Sequence, residues 1–235
     1  MLLRDDNWCR FHAAIASGQL PIPTARVAAL ILIVVSIGGA ALLSWGLALI
    51  LALYLLLHVF YSWRLKHIVI LDLLAVAAGF VLRVAAGVMV VHVQAFSPWL
   101  YACTALLALF LIIGKRRQEL LELGDGAGSI RATLDSYNLP LLDDMLRMVM
   151  TSTLIAYLLY TIEEPSVLLA GTKLGLLTVP FVLYALWRYL YLIHVEGVGS
   201  APEEVLFHDR PLQISIVLWG LTFVAILYFP HIIQL

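Results

Sequence analysis

Long apolar runs alternate with short polar segments along the whole chain. Seven of these runs are each close to the roughly 20 residues that a helix needs to cross a hydrocarbon core. We predict transmembrane helices at about 27–44, 47–63, 69–91, 98–113, 141–161, 173–194 and 212–229. Strand-length alternation of apolar and polar residues is absent, so a membrane barrel is not predicted. The pattern predicts an all-α polytopic membrane protein with a single transmembrane domain over residues 1–235.

Composition agrees with a chain that is solvated mostly by lipid. Of its residues, 63% are hydrophobic and 12% are charged, whereas about a quarter of a globular domain is charged. The segment Met1–Asp6 is charged and lacks the apolar core of a signal peptide, so insertion is expected to rely on the internal helices. Cys9 and Cys103 lie in a polar leader and in an apolar run, which favours neither a disulfide nor a zinc site.

The basic residues are distributed unequally between the two sides of the predicted membrane domain. All Lys and Arg residues except Arg83 and Lys173 fall on segments that alternate spans place on one side. Basic segments close to spans resist translocation, so we predict that this side is cytoplasmic and that the membrane is the plasma membrane. Arg83 lies inside the third span, about 16 Å from its charged end at 1.5 Å per residue.

The third span carries a polar face. Asp72, Gly79, Arg83 and Gly87 are spaced so that they share one side of a helix, and the small residues allow another group to approach. A charge inside a span is costly, so this face is interpreted as a functional polar groove. The structural alternative is an Asp–Arg pair that bridges helices, or an arginine that reaches the interface.

Two basic segments lie at the predicted cytoplasmic ends of spans. Tyr61–His67 contains Lys66 beside aromatic residues, and Gly114–Glu119 combines three bases with a carboxylate one helical turn away. Arginine binds phosphate oxygens in pairs and lysine adds a point charge, so both segments are candidates for a phosphate or diphosphate ligand. The alternative is that they anchor helices at the interface and set the topology.

The remaining polar motif, Asp209-Arg210-Pro211, directly precedes the seventh span. Its Asp and Arg are candidate phosphate-site residues, or ordinary caps of a helix end. No supported Ser-His-Asp or Cys-His arrangement is found, and the histidines lack metalloprotease spacing, so hydrolase chemistry is not predicted.

These motifs together resemble the UbiA prenyltransferase superfamily, and within it the decaprenyl-phosphate phosphoribosyltransferase branch. The resemblance covers about positions 15 to 229. It rests on Tyr61-Ser-Trp-Arg-Leu-Lys66, Leu71-Asp72, Gly79-Phe-Val-Leu-Arg83-Val-Ala-Ala-Gly87, Gly114-Lys-Arg-Arg-Gln-Glu-Leu120 and Asp209-Arg-Pro-Leu212.

The resemblance implies a UbiA-type helical bundle and a transferase. Its expected reaction moves 5-phosphoribose from phosphoribosyl diphosphate to a polyprenyl (decaprenyl) phosphate, with Mg²⁺, in the supply of cell-wall arabinan. Asp72 and Arg83 are implied as the catalytic pair in the cavity. The implied phosphate- and diphosphate-binding residues are Tyr61, Lys66, Lys115, Arg116, Arg117, Glu119, Asp209 and Arg210. The bilayer is a further partner and no nucleic acid is expected.

The chain departs from the family pattern at its amino-terminal side. Members typically have nine spans and carry an Asp-rich magnesium motif before the third, followed by a basic stretch. Here Ile15-Ala-Ser-Gly18 matches the end of that stretch, and Asp5 and Asp6 are the only weak candidates for metal ligands. We expect that the first two helices of the family and the first Asp-rich motif are missing.

Three alternatives stay open at this point. One is a UbiA-type prenyltransferase that acts on an aromatic acceptor, although the loop after the fourth span lacks the usual second Asp-x-x-x-Asp motif. Another is a catalytically inactive membrane remnant or scaffold, which the missing motif favours. The third is a transporter, although repeated halves are not visible. A homo-oligomer is compatible with any of them.

Overall fold

The computed structural model describes residues 21–91, 97–123, 133–163, 173–197 and 202–233. These residues form helices, and no β-strand occurs within them. The α-helices are α1 (Ile22–Leu43), α2 (Trp45–Trp63), α3 (Leu71–Val91), α4 (Pro98–Leu123), α5 (Leu139–Glu163), α6 (Val179–Tyr191), α7 (Pro202–His208) and α8 (Arg210–Ile233). Short 3₁₀ turns span Leu65–His67, Leu134–Ser136 and Lys173–Thr178, and a π-helix, Leu192–Glu196, continues α6.

The prediction of an all-α polytopic membrane protein is confirmed. Within the described ranges, six helical stretches are long and apolar enough to cross a membrane: Pro23–Leu43, Trp45–Trp63, Leu71–Val91, Pro98–Glu122, Leu139–Ile162 and Leu174–Glu196. They coincide with the first six predicted spans. The seventh falls on the 24-residue helix α8, of which the shorter stretch Arg210–Ile226 is scored as apolar.

The fourth span is longer than its predicted end at 113. Helix α4 continues to Leu123, so the basic segment Gly114–Glu119 is helical. The side chains of Arg116, Arg117 and Gln118 are bound to groups on neighbouring elements, which compensates their burial. The apolar run alone therefore underestimated the length of this helix.

The chain divides into two compact units, residues 1–53 and 54–235, and the boundary falls inside α2. In the first unit, the apolar side chains of α1 are mostly exposed. Because lipid tails are as apolar as leucine, such exposure is inexpensive in a membrane. Ser44, in an extended conformation, alone separates α1 from α2. The predicted single-domain organisation stays a prediction.

Most helices begin with a proline. Proline fixes φ near the helical value and lacks an N–H, so it fits the first turn, where that N–H has no partner within the helix. The prolines at the first or second helical position are Pro23, Pro98, Pro140, Pro180, Pro202 and Pro211. The sequence thus sets where these helices start.

The core of the second unit lies around α4. This helix packs most extensively against α5 and next against α3, and the carboxyl-terminal part of α6 closes the same core. Phe110, Ile113, Leu142 and Leu146 are almost completely buried there. Several hydroxyl groups on the spans donate to carbonyls one turn earlier, so these groups need no partner in lipid. Such bonds are made by Thr104, Thr151, Ser152, Thr153 and Thr222.

Gly114 permits close contact between α4 and α6. A Cβ atom on Gly114 would lie 3.1 Å from the hydroxyl oxygen of Tyr189 and 3.2 Å from its ring. Tyr189 is only 3% exposed, and its ring packs 5.2 Å from that of Phe110. A Cβ atom at position 114 would require this ring to shift by a few tenths of an ångström.

We expect Gly114→Ala to lower the stability of the protein by about 1–3 kcal/mol, because overpacking displaces buried neighbours. Thermal unfolding of the detergent-solubilised protein measures the change. Gly220→Ala on α8 is the matched control, since nothing lies within 4 Å of its Cβ position and alanine favours a helix. Equal unfolding temperatures for Gly114→Ala and wild type would contradict the close-packing argument.

Candidate functional site

Asp72, in the first turn of α3, is a completely buried carboxylate. Its Oδ1 accepts a hydrogen bond of 2.9 Å from the hydroxyl of Tyr137, and its Oδ2 lies 3.6 Å from Nε of Arg116. Arg116 is 4% exposed and also donates from Nη1 to Oε2 of Glu119 at 2.5 Å. A buried charge requires such compensation by charge and hydrogen bonds. The structure therefore joins the start of α3 to the last turns of α4.

The residue before α3 has a strained backbone. Ile70 has φ = 69°, and it is the only described non-glycine residue with positive φ. This region is unfavourable for a β-branched residue, and such outliers persist only where surrounding contacts enforce them. Here the N–H of Ile70 donates to the hydroxyl oxygen of Tyr137 at 2.7 Å.

Tyr137 thus accepts from Ile70 and donates to Asp72. Burial raises the pKa of Tyr137 to about 12, the hydrogen bond from Ile70 opposes that shift, and the neighbouring Asp72 carboxylate adds to it. The phenol therefore stays protonated at physiological pH and remains a donor to the carboxylate.

Tyr61, near the end of α2, belongs to the same neighbourhood. Its phenol lies within the electrostatic influence of Arg116, Asp72 and Glu119. The structure thus brings together four of the predicted site residues, which lie on α2, α3 and α4. The separations of these residues in sequence did not predict the Asp72–Arg116 contact.

Two lysines of the predicted phosphate site are half-buried. Lys66 lies on the 3₁₀ turn between α2 and α3, and Lys115 lies on α4 next to Arg116. Within the described ranges neither ammonium group forms an ion pair with a carboxylate. Both charges are therefore available to a phosphate.

Arg117 has a different environment from its neighbours. Its Nε donates to Oδ1 of Asp143 on α5 at 2.6 Å, and its Nη1 donates to the carbonyl oxygen of Ile193 at 3.1 Å. The next residue, Gln118, donates to the carbonyl oxygen of Gly197 at 2.5 Å. These bonds satisfy carbonyls at the end of the π-helix, so Arg117 and Gln118 fasten α4 to α5 and to the end of α6.

His194 completes this junction. Its Nε2 lies 3.2 Å from Oδ1 of Asp143, and its Nδ1 lies 3.0 Å from the carbonyl oxygen of Leu190. Both ring nitrogens thus face oxygen acceptors, one on α5 and one in the carboxyl-terminal part of α6. No local pattern indicates that His194 and Asp143 lie together, because they are 51 positions apart.

Arg83 and Asp72 have different partners in the structure. The guanidinium of Arg83 donates to the hydroxyl oxygen of Tyr54 from Nη2 at 2.6 Å and from Nε at 3.1 Å. Its central carbon lies 5.3 Å from the ring centroid of Tyr54 and 5.1 Å from that of Phe80. Arg83 is exposed within the described chain, whereas Asp72 is fully buried. Shared helical periodicity did not bring the two side chains to one place, because each has nearer partners on other elements.

Asp209 caps helix α8. Its Oδ1 accepts from the N–H of Leu212 at 2.8 Å, and its Oδ2 accepts from Nη2 of Arg188 at 2.6 Å. The hydrogen bond from Arg188 is the main cause that lowers the pKa of Asp209 below its ordinary value of 3.8. Arg210, in contrast, is exposed. Asp209 therefore caps a helix end, which was one of the two predicted alternatives. A phosphate-binding role for Asp209 or Arg210 stays a prediction.

The described residues do not provide a metal site. Among them, no group of three His, Cys, Asp or Glu side chains is placed to hold a metal ion. The two carboxylates nearest the basic cluster, Asp72 and Glu119, are both paired with Arg116. Asp5 and Asp6 lie outside the described residues.

An apolar cavity of about 550 Å³ lies among α4, α5, α6 and α8. Phe110, Tyr157, Tyr189 and Trp219 are among the residues that line it. Tyr189 also contacts Gly114, the residue before Lys115. The cavity thus begins close to the basic segment of α4.

Sequence reasoning missed the residues that organise the site. Tyr137 follows a polar loop and has no motif around it, and Tyr54, Asp143, His194 and Arg188 belong to none of the motifs singled out in the sequence. Only their contacts across the bundle identify them, because their partners lie tens of residues away.

Comparison with known proteins finds relatives over most of the chain. A protein of Corynebacterium glutamicum is 32% identical over 217 residues, which cover 91% of this chain and 64% of that protein. One of Mycobacterium tuberculosis is 30% identical over 207 residues, with 87% and 66% covered. One of Mycolicibacterium smegmatis is 29% identical over 221 residues, with 92% and 69% covered.

All three are named decaprenyl-phosphate phosphoribosyltransferase. The chain spans slightly less than two thirds of the length of the first two. No family model matches the chain.

The Asp209–Arg188 pair should make stability depend on pH. A carboxyl group whose pKa is lower when folded stabilises the protein above its unfolded pKa, and this contribution is lost as pH falls through the folded pKa. We expect Asp209→Asn, which keeps a capping side chain, to unfold at a lower temperature than wild type at pH 7. The difference should shrink as pH falls below 3.8.

Thermal unfolding in detergent from pH 7 to pH 3 measures this difference. Asp209→Ala should be less stable than Asp209→Asn by about 1 kcal/mol, because it also removes the cap. Asp144→Asn is the control, since the carboxylate of Asp144 pairs with Arg147 and both side chains are 70% exposed. A difference between wild type and Asp209→Asn that does not change with pH would contradict the ion-pair assignment.

Proposed function

We propose that this chain, a UbiA-superfamily member, transfers 5-phosphoribose from phosphoribosyl diphosphate to a polyprenyl phosphate. The proposal is supported by its homology to decaprenyl-phosphate phosphoribosyltransferases. Diphosphate is the second product. The acceptor is a lipid, so the reaction belongs in the membrane.

The observation that carries this proposal is the cluster of charges where α2, α3 and α4 meet. The Asp72–Arg116–Glu119 network is buried, and the half-buried ammonium groups of Lys66 and Lys115 are not paired with described carboxylates. Positive charge held by fixed partners in a poorly solvated place binds phosphate oxygens strongly. The apolar cavity that begins near Gly114 offers space for the hydrocarbon part of a lipid substrate.

The chemistry asks mainly for electrostatic stabilisation. The bond between the anomeric carbon and the diphosphate oxygen breaks, and an oxygen of the lipid phosphate forms the new bond to that carbon. Negative charge grows on the departing diphosphate, so donors fixed in advance lower the barrier. In the proposed roles, Lys66, Lys115 and Arg116 bind phosphates, Tyr61 lies at the rim, and Asp72 keeps Arg116 oriented.

The other predicted residues take different roles in the proposal. Arg117 acts on the fold, since its two bonds fasten α4 to its neighbours. Arg83, clamped by Tyr54, offers a charge deeper in the membrane.

The position of the reaction is also part of the proposal. The basic side of the bundle is proposed to face the cytoplasm of the cell, across the plasma membrane, because of the one-sided distribution of Lys and Arg. The product would serve cell-wall arabinan synthesis.

Transfer of radiolabelled phosphoribose from phosphoribosyl diphosphate to polyprenyl phosphate tests the proposal. We expect Lys115→Ala to lower kcat/KM for phosphoribosyl diphosphate about ten- to a hundredfold. One charge-assisted hydrogen bond contributes about 1.5–3 kcal/mol, and 1.36 kcal/mol is a factor of ten. Arg83→Ala is also expected to reduce turnover.

The control variant is Arg147→Ala, which removes a base whose side chain is 70% exposed, and it should retain wild-type turnover. Arg117→Ala should instead lower the unfolding temperature. The relative from Corynebacterium glutamicum serves as the assay standard. An active standard beside an inactive chain would reject the proposed activity, and unchanged turnover in Lys115→Ala and Arg83→Ala would reject the site.

We also propose that transfer requires Mg²⁺, although the described residues do not form a metal site. Chelation with EDTA should abolish transfer, and added Mg²⁺ should restore it. Turnover that persists after chelation would remove magnesium from the proposal.

A further inference from the structure

Tyr137 connects three parts of the chain that are far apart in sequence. Its hydroxyl group is bound to Ile70 and to Asp72, which are 67 and 65 positions away. The residue lies just after the 3₁₀ turn Leu134–Ser136 and is only 5% exposed. One oxygen atom thus fixes both the turn before α3 and the carboxylate inside it.

The turn between α2 and α3 adopts a conformation that its sequence disfavours. Ile70 has φ = 69°, a value that glycine accepts easily and a β-branched residue does not. Its N–H points to Tyr137, and its carbonyl oxygen accepts from the N–H groups of Leu73 and Leu74 at 3.1 and 3.0 Å. The conformation therefore sets the direction in which the chain enters α3.

The same turn contains Lys66, and the same helix start contains Asp72, which faces Arg116. If the bond to Ile70 were lost, the backbone of the turn would be free to relax towards negative φ. The lysine, the carboxylate and the guanidinium would then lose their fixed relation to one another.

We propose that Tyr137 is a positioning residue for the phosphate-binding site. It holds the Leu65–Ile70 turn and the Asp72–Arg116 pair in the arrangement that receives the diphosphate group of the substrate. This inference rests on the proposed function, but diphosphate binding can test it without turnover. Tyr137 touches no substrate in this role; it acts through Ile70 and Asp72.

The test begins with Tyr137→Phe, which keeps the buried ring and removes only the hydroxyl group. We expect KM for phosphoribosyl diphosphate to rise about tenfold, because the fixed charges bind the diphosphate group already before the bond to it breaks. The dissociation constant of inorganic diphosphate, measured by calorimetry on the detergent-solubilised protein, should rise by a similar factor. Tyr228→Phe is the matched control, since that tyrosine is 65% exposed on α8, and it should leave both values unchanged.

Ile70→Gly supplies the decisive second variant. Glycine takes positive φ without strain, so the turn no longer depends on the hydroxyl group. In Tyr137→Phe, the added Ile70→Gly should recover most of the lost diphosphate affinity. A purely structural role for Tyr137 does not predict this rescue, because removal of the Ile70 side chain adds no packing.

The outcomes separate the inference from the proposed function. If wild type transfers phosphoribose and Tyr137→Phe matches it in KM and diphosphate affinity, the inference is overturned and the function stands. Loss of affinity that Ile70→Gly does not rescue also overturns it. If wild type shows no transfer, the proposed function fails, and diphosphate affinities of the variants still decide the role of Tyr137.

Discussion

A carboxylate buried at the start of a membrane helix needs charge and hydrogen bonds from elsewhere in the chain, and Asp72 receives both. Arg116 supplies the charge from α4, and Tyr137 supplies the hydrogen bond from the segment before α5. Since either partner alone would leave the carboxylate only partly compensated, the three elements are constrained together. The conformation of Ile70 and the position of the turn carrying Lys66 depend on this constraint.

The last turns of α4 contain both candidate phosphate-binding residues and residues that connect helices. Arg116 pairs with Asp72 and Glu119, whereas Arg117 and Gln118 bind Asp143 and the carbonyls of Ile193 and Gly197. Adjacent residues on a helix point about 100° apart, so a dense basic run cannot direct all its charges to one ligand. Here the run serves both a candidate phosphate site and the packing of three helices.

Much of the fold followed from local pattern. Apolar runs located the spans, and the prolines lie where helices begin. The apolar pattern did not predict the end of α4, because its last turns are polar. These turns are bound to partners such as Asp143 and Gly197. The candidate site was likewise predicted only in part. Tyr61, Asp72, Arg116 and Glu119 were named from motifs, while Tyr137 was not, since nothing near it in sequence indicates its contacts.

The sequence by itself determined that this protein is surrounded mostly by lipid, the approximate limits of its first six spans, and its resemblance to UbiA-type transferases, because hydropathy and motifs are local properties. Only the tertiary structure decided which charges meet. Asp72 pairs with Arg116, and Arg83 binds Tyr54. Arg117 connects neighbouring helices, and Asp209 caps α8. The physical reason is that a buried charge is stabilised by whichever partners the packing of helices brings near, and periodicity along one helix does not specify them.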